Sequence, residues 1–311
     1  MIKPTLILEP SQLSRLLGCR VILACETFQY SGSFKFRGAW HLVCSVPHRH
    51  FLAASSGNFG QALAFACQLL DRRCTIVMPR DSARVKIEAI LDLEAEVELI
   101  DVQATSRFER IRELAAKWPQ AYVVNAYEDE LVIDGNSTLA TELADVPGID
   151  TVIAPVGGGG LAAGLVRGFE RAGAAVEVFG AEPAIGNDAA RSFRSGELTA
   201  NTNEPQTIAD GARALSLGKR TWSIIKDGLA GIFEVPDSQI AAGLQALFYC
   251  ANLKAEPTGA LALAALMGNL ETFRYQSVCC IVSGGNVDAA TYSKLLRLPK
   301  SRRRDCSLPR T

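Results

Sequence analysis

The chain has 311 residues, of which 48% are hydrophobic and 21% charged. This balance is ordinary for a globular protein and excludes intrinsic disorder, which needs low hydrophobicity or a large net charge. With 32 basic against 33 acidic residues the formal net charge is −1, so no nucleic-acid partner is expected. No apolar run reaches the roughly 18 residues that would span a bilayer, so no membrane partner is expected either. The opening MIKPTLILEP has no basic region leading into a long apolar stretch; no signal peptide is read, and a cytoplasmic location is expected. Nine cysteines occur without a CxxC pair, which favours reduced, buried thiols over a disulfide framework.

Short β-rich runs alternate with helix-length segments. In chain order, strands are expected at 21–25, 51–54, 74–78, 97–100, 121–124, 151–155, 176–180, 231–235 and 278–282. Helices are expected at 61–70, 107–117, 137–144, 161–172, 239–251 and 258–266. Such alternation predicts an α/β protein with open, mainly parallel sheets. Runs such as VCCIV at 278–282 lack polar alternation, as strands covered on both faces do. There is no fixed-period repeat. The basic stretch 300–311 (KSRRRDCSLPRT) reads as a loosely held terminus.

The chain has 26 glycines, and many fall in four loop-like segments that follow expected strands. These are SGSFKFRGA at 31–39, SSGNFGQ at 55–61, GGGGL at 157–161 and SGGN at 283–286. In an open α/β sheet, ligands sit at the carboxyl ends of strands, so all four segments can face one crevice. Gly157, Gly158, Gly159 and Gly160 open a helix at Leu161. Free N–H groups and the helix dipole there favour an anion, with phosphate the natural guest. Gly157, Gly159 and Ala162, with Glu182 about 20 residues on, also fit a dinucleotide fingerprint and keep an NAD-dependent dehydrogenase open as a rival. Lys35 lies between Gly32 and Gly38 and is flanked by Phe34 and Phe36. An apolar setting lowers a lysine pKa, and a neutral amine forms a Schiff base with an aldehyde. Pyridoxal phosphate (PLP) supplies aldehyde and phosphate together. The alternative is a solvated surface lysine.

Taken in order, SGSFKFRGA, SSGNFGQA, VGGGGLAAG and SGGN, with TIADGARA at 207–214 and EPTGA at 256–260, resemble the fold-type II PLP enzymes. The resemblance is above all to the serine/threonine dehydratase and serine racemase branch, and it covers nearly the whole chain. It implies two open, mainly parallel twisted sheets with helices on both faces, as in tryptophan synthase β. It also implies a large PLP-binding domain of residues 1–49 and 130–311 and a small mobile domain of residues 50–129. The cofactor would lie in the cleft between them, which closure would clear of water.

Residue by residue, the resemblance implies that Lys35 is the Schiff-base lysine and carries the substrate α-proton. Phe34 would pack on the pyridine ring, and Gly157, Gly158, Gly159, Gly160 and Leu161 would bind the phosphate. Asn58 would bond the ring hydroxyl oxygen, and Ser283 the ring nitrogen. A serine hydroxyl does not fix the charge of that nitrogen as a carboxylate would, which suits rapid loss of a β-leaving group. Ser55, Ser56, Gly57 and Asn58 would receive the substrate carboxylate. Ser56 would be the second acid/base of a racemase, or else a helix cap. Arg107 would approach the substrate carboxyl region, or be an exposed helix arginine. Phe59 stands where relatives often have His, which would remove a polar group near the substrate. Glu182, Gly186 and Asp188 match a divalent-metal site for Mg²⁺ or Ca²⁺, or act as caps. His41, His48 and His50 fall outside these loops, and the HRH of 48–50 is expected to be solvated. No segment of regulatory-domain length follows Ser283, so feedback through such a domain is not expected. The implied activity is elimination and deamination of serine, threonine or 3-hydroxyaspartate to a 2-oxo acid and ammonia. Amino-acid racemisation on the same site is the alternative, and the implied assembly is a homodimer.

Overall fold

A computed structural model describes residues 1–82 and 84–298; the basic stretch 300–311 lies outside the described residues. The first elements are β1 (Leu6–Leu8), α1 (Ser11–Leu17), β2 (Arg20–Cys25), α2 (Lys35–Ser45), β3 (His50–Ala54), α3 (Asn58–Leu69), β4 (Arg73–Pro79) and α4 (Arg84–Leu91). Next come β5 (Glu96–Ile100), α5 (Arg107–Lys117), β6 (Tyr122–Val124), α6 (Glu130–Ala144), β7 (Thr151–Pro155), α7 (Gly160–Ala172), β8 (Glu177–Pro183) and α8 (Asp188–Ser195). The chain continues with α9 (Lys219–Gly228), β9 (Gly231–Val235), α10 (Asp237–Ala251), α11 (Pro257–Gly268), β10 (Ser277–Val282) and α12 (Ala289–Leu296).

The strands form a six-stranded sheet, ordered β1-β2-β10-β7-β8-β9, and a four-stranded sheet, ordered β5-β4-β3-β6. All pairings are parallel except β1 with β2, which is antiparallel at the sheet edge. Every strand expected from the sequence is present. β1 is an addition to that set, because three residues are too few to set a period. β10 pairs β2 from Ser277↔Arg20 to Val282↔Cys25, and β7 pairs β8 up to Pro155↔Ala181. The carboxyl ends of β2, β10 and β7 therefore share one sheet edge, and segments 31–39, 283–286 and 157–161 all emerge there.

The six-stranded sheet is covered on both faces. α11 (PTGALALAALMG) is apolar all round and buried over nearly its whole length, as a helix enclosed by its neighbours must be. The opposite face carries a second apolar core that includes Leu139, Ala140 and Leu143 of α6 and Leu161, Leu165 and Phe169 of α7. The four-stranded sheet has its own core, and α2 contributes Phe36, Ala39, Leu42 and Val43 to it. α2 also crosses α6 at very short range. A Cβ on Gly135 would lie 2.7 Å from the Gly38 Cα and 2.5 Å from the Arg37 carbonyl oxygen. The helix is thus gripped from both sides.

A buried ionic cluster adds to that grip. Arg37 donates through Nε and Nη2 to both oxygens of Glu26 (2.7 and 2.9 Å) and through Nη1 to Glu142 Oε1 (2.7 Å). It also reaches Thr138 Oγ1 (2.9 Å) and Thr5 Oγ1 (2.7 Å). Arg37 and Glu26 are both fully buried, and the two glutamates keep the guanidinium protonated.

The eight described cysteines are free thiols, with Cys25, Cys67, Cys74, Cys279 and Cys280 buried. No described helix is long and apolar enough to cross a membrane. His50 departs from the solvated reading. It is 5% exposed in β3, bonds Thr75 Oγ1 through Nε2 at 2.9 Å and packs edge-on against Trp118. The sheet position of His50 decides this, and the local run HRH does not reveal it.

Candidate active site

Lys35 is the first residue of α2, whereas the sequence segment reads as a loop. The chain reaches it through a tight turn in which Ser31 and Gly32 have φ of 60° and 72°. This turn is pinned to the segment after β10. Phe34 N–H donates to the Ser283 carbonyl (3.0 Å), Gly285 N–H to the Gly32 carbonyl (3.0 Å), and Ser33 forms a bridge with Gly284. Lys35 is half-buried, and its Nζ lies 4.8 Å from the centre of the buried Phe34 ring. Burial pushes its ammonium down to about 8, against an opposing pull from Glu256. Ser283 is 2% exposed, and its hydroxyl has no partner among the described residues.

The tetraglycine runs from β7 into α7, whose N-cap Gly159 (φ 89°) has no side chain to cap it. Gly158 O accepts from Thr221 Oγ1 (2.8 Å) and Gly218 N–H (3.3 Å). The N–H groups of Gly157, Gly158 and Gly159 find no acceptor among the described residues. The Tyr127 ring lies flat on Gly158, where a Cβ would come within 2.5 Å of both its δ carbons. The result is a row of bare amides at a helix N-terminus, roofed by a phenol ring, and it is built to hold an anion.

Segment 55–58 closes the site from the four-stranded side. Ser55 Oγ accepts from the N–H groups of Gly57 (3.4 Å) and Gly60 (3.1 Å). Ser55 therefore serves the start of α3, and Ser56, the residue read as a possible cap, keeps a hydroxyl with no partner among the described residues. Asn58 opens α3. Its Nδ2 donates to Glu256 Oε1 at 2.7 Å, and its Oδ1 accepts from Asn286 Nδ2 at 2.9 Å. Glu256 is 3% exposed, and burial pushes its carboxyl up to about 8. Sequence reasoning missed Glu256 and Tyr127. The recurring EPTGA was the only signal for the first, and nothing marked the second.

Residues 1–284 match the family described as pyridoxal-phosphate dependent enzyme. The chain belongs to it. An L-threo-3-hydroxyaspartate ammonia-lyase from Pseudomonas sp is 35% identical, with 90% of this chain and 89% of that protein covered. Mouse serine racemase (Mus musculus) is 35% identical over 91% of this chain and 86% of the racemase. A crystal structure of threonine deaminase from T.th. superposes with a TM-score of 0.87 at 36% identity, covering 92% of this chain and 94% of that one. This PLP-dependent enzyme thus has the fold-type II architecture of ammonia-lyases and racemases and is an enzyme of that type.

The residues present fit the cofactor. The bare amides of 157–159 and the first turn of α7 match its phosphate, the partly neutral Lys35 its aldehyde, and the unpartnered, buried Ser283 hydroxyl its ring nitrogen. Glu182 does not serve a ribose, as the dehydrogenase reading requires. Its oxygens accept from Ala189 N–H (3.2 Å) and Ala190 N–H (2.6 Å) at the start of α8. Phe59 is 3% exposed within the core of the four-stranded sheet. It packs in that core, and as a phenylalanine it brings no polar group to the site.

Arg107 opens α5 at the rim with 42% of its side chain exposed, and pairs with Glu204 at 3.2 Å. Lys86 on α4 pairs with Asp210 at 2.8 Å. Both pairs join elements around the four-stranded sheet to the loop after α8. Glu182 and Asp188 are both buried, and burial pushes them up to about 8 and about 7 respectively. Asp188 Oδ1 accepts from Asn201 Nδ2 (2.8 Å), and its Oδ2 is buried with no side-chain partner among the described residues. Gly186 is buried beside them. No group of three or more His, Cys, Asp or Glu side chains converges among the described residues, so protein side chains here offer two carboxylates at most.

Proposed function

We propose that this enzyme eliminates water from a 3-hydroxy amino acid (serine, threonine or 3-hydroxyaspartate) and releases a 2-oxo acid and ammonia. Overall, the β-hydroxyl and the α-proton leave as water, and water then replaces the nitrogen at the α-carbon as the carbonyl oxygen. PLP, when bound, binds the amino group covalently and accepts the electron pair left when the α-proton departs. The chain's residues supply the rest. Lys35 takes the α-proton, for which a pKa near 8 is suited. The amides of 157–161 anchor the phosphate and thereby the ring plane. The N–H groups at the start of α3, with Ser55, Ser56, Gly57 and Asn58, receive the α-carboxylate. Arg107 approaches the same carboxylate once it parts from Glu204.

Ser283 carries this reading. It puts a neutral hydroxyl at the end of β10, joined through its carbonyl to Phe34 beside Lys35, where a carboxylate would stabilise the electron pair and slow departure of the β-substituent. The unpartnered Ser56 hydroxyl favours racemisation as a second activity. A panel of L- and D-3-hydroxy amino acids, scored for 2-oxo acid and for inverted amino acid, tests both. Ser56→Ala should abolish inversion and spare elimination of one enantiomer. Inversion without 2-oxo acid across the panel would overturn the elimination reading.

Residues 50–129 form the mobile unit in this proposal, held closed by Lys86–Asp210 and the Asn58 contacts. Glu182, Asp188 and the Gly186 carbonyl would hold a divalent cation, which would supply a counter-charge to the buried, unpartnered Asp188 Oδ2. The assembly is a homodimer in the cytoplasm, which sedimentation and cell fractionation test.

A further inference from the structure

The carboxamide of Asn58 has one acceptor and two N–H donors, and three residues distant in sequence determine which way it points. The direction is set by a backbone oxygen. The Ser31 carbonyl can only accept, and it takes a hydrogen bond from Asn286 Nδ2 at 2.8 Å. That fixes the amide of Asn286, whose Nδ2 also donates to Asn58 Oδ1 at 2.9 Å. With its oxygen committed there, Asn58 turns Nδ2 toward Glu256 Oε1 at 2.7 Å. Rotating the Asn58 amide by half a turn would set donor against donor at Asn286 and take away the N–H that Glu256 Oε1 accepts.

Each member is held in place by its surroundings. Asn286 fits because Gly32 is bare, since a Cβ there would lie 3.1 Å from the Asn286 Cγ. Glu256 lies against the bare Gly284, where a Cβ would be 2.5 Å from its Oε1. Its backbone N–H also donates to the Gly284 carbonyl at 3.0 Å. One hydrogen on Asn58 Nδ2 remains without an acceptor among the described residues.

We propose that Asn286 and Glu256 are positioning residues. They clamp the Asn58 carboxamide so that it presents a hydrogen-bond donor, never its oxygen, to the ring oxygen of the bound cofactor. The clamp favours the ionised form of that oxygen and runs from the turn before Lys35 across the cleft to α3. The inference rests on the placement of Asn58 at the cofactor ring.

The test uses holoenzyme of the wild type and of Asn58→Ala, Asn286→Ala, Asn286→Asp, Glu256→Ala and Glu256→Gln. Two quantities are read: the cofactor dissociation constant by equilibrium dialysis, and the position of the visible absorption band. Asn286 is exposed, so its variants fold whatever Glu256→Ala does. Asn286→Ala, Asn286→Asp and Glu256→Ala are expected to raise the dissociation constant roughly tenfold, the scale of one lost directed hydrogen bond, and to shift the band. Glu256→Gln still accepts from Asn58 and is expected to restore both to within about threefold of the wild type. The clamp is refuted if the Asn286 and Glu256 variants keep the wild-type constant and band while Asn58→Ala changes both. If Asn58→Ala is silent as well, the placement of Asn58 at the ring fails, and the clamp with it.

Discussion

Replacing Arg37 by leucine should destabilise the protein by about 3–5 kcal/mol, the usual cost of stripping one partner from a buried ion pair. The magnitude follows from who is left behind. Glu142 retains 33% side-chain exposure and can recruit water, whereas Glu26 is fully buried and would lose both of its Arg37 bonds. Most of the cost therefore falls on Glu26. For a chain of 311 residues, an unfolding entropy of about 2.1 cal/mol/K per residue converts this into a Tm lower by roughly 5–8 °C. The penalty is an uncompensated charge, so adding Glu26→Gln and Glu142→Gln to Arg37→Leu should recover most of the loss. Far-UV circular dichroism melts of the three proteins measure it. The reasoning is wrong if Arg37→Leu melts within about 1 °C of the wild type, or if the triple variant melts no higher than the single one.

Reductive trapping of PLP on the cofactor-free protein should report the Lys35 amine. Burial lowers its pKa from 10.5 to about 8, so the trapping rate should fall tenfold per pH unit below about 8 and level off above it; a midpoint near 10.5 would contradict the burial effect. Gly158→Ala forces the Tyr127 ring off the phosphate loop and should weaken cofactor binding more than tenfold, while adding Tyr127→Ala should recover part of it; titration of cofactor fluorescence decides. Ca²⁺ or Mg²⁺ at about 100 times its dissociation constant should add about 2.7 kcal/mol, or roughly 4 °C in Tm. Asp188→Asn should remove that response, and an unchanged response would place the ion elsewhere.

The strand–helix alternation was legible because parallel strands covered on both faces leave unbroken apolar runs, as at β7 and β10. The glycine loops were legible because each follows such a run. Lys35 reads as a loop residue because Gly38 lies inside α2 and hides the helix. That glycine exists for the crossing with Gly135, which no local pattern shows. Gly38 therefore serves helix packing rather than approach to the cofactor. Arg37 and His50 escape a local reading because their burial depends on partners 105 residues away at Glu142 and 25 away at Thr75. Glu256 acquires its place only through Asn58, 198 residues earlier. Sequence reveals the segments that line the cleft, while the contacts that aim their side chains come from chain closure.

α2 has a mechanical consequence. Its aromatic and aliphatic face is buried with the four-stranded sheet, its glycine face is locked on α6, and the Arg37 cluster holds its first turn. On the proposed reading that residues 50–129 move as a unit, a swing would pivot about this shared axle, because sliding would tear open both cores. The amine at its tip would then stay nearly still, while segment 55–58 would sweep the longer arc. Opening the cleft would leave Lys35 in register with the tetraglycine throughout.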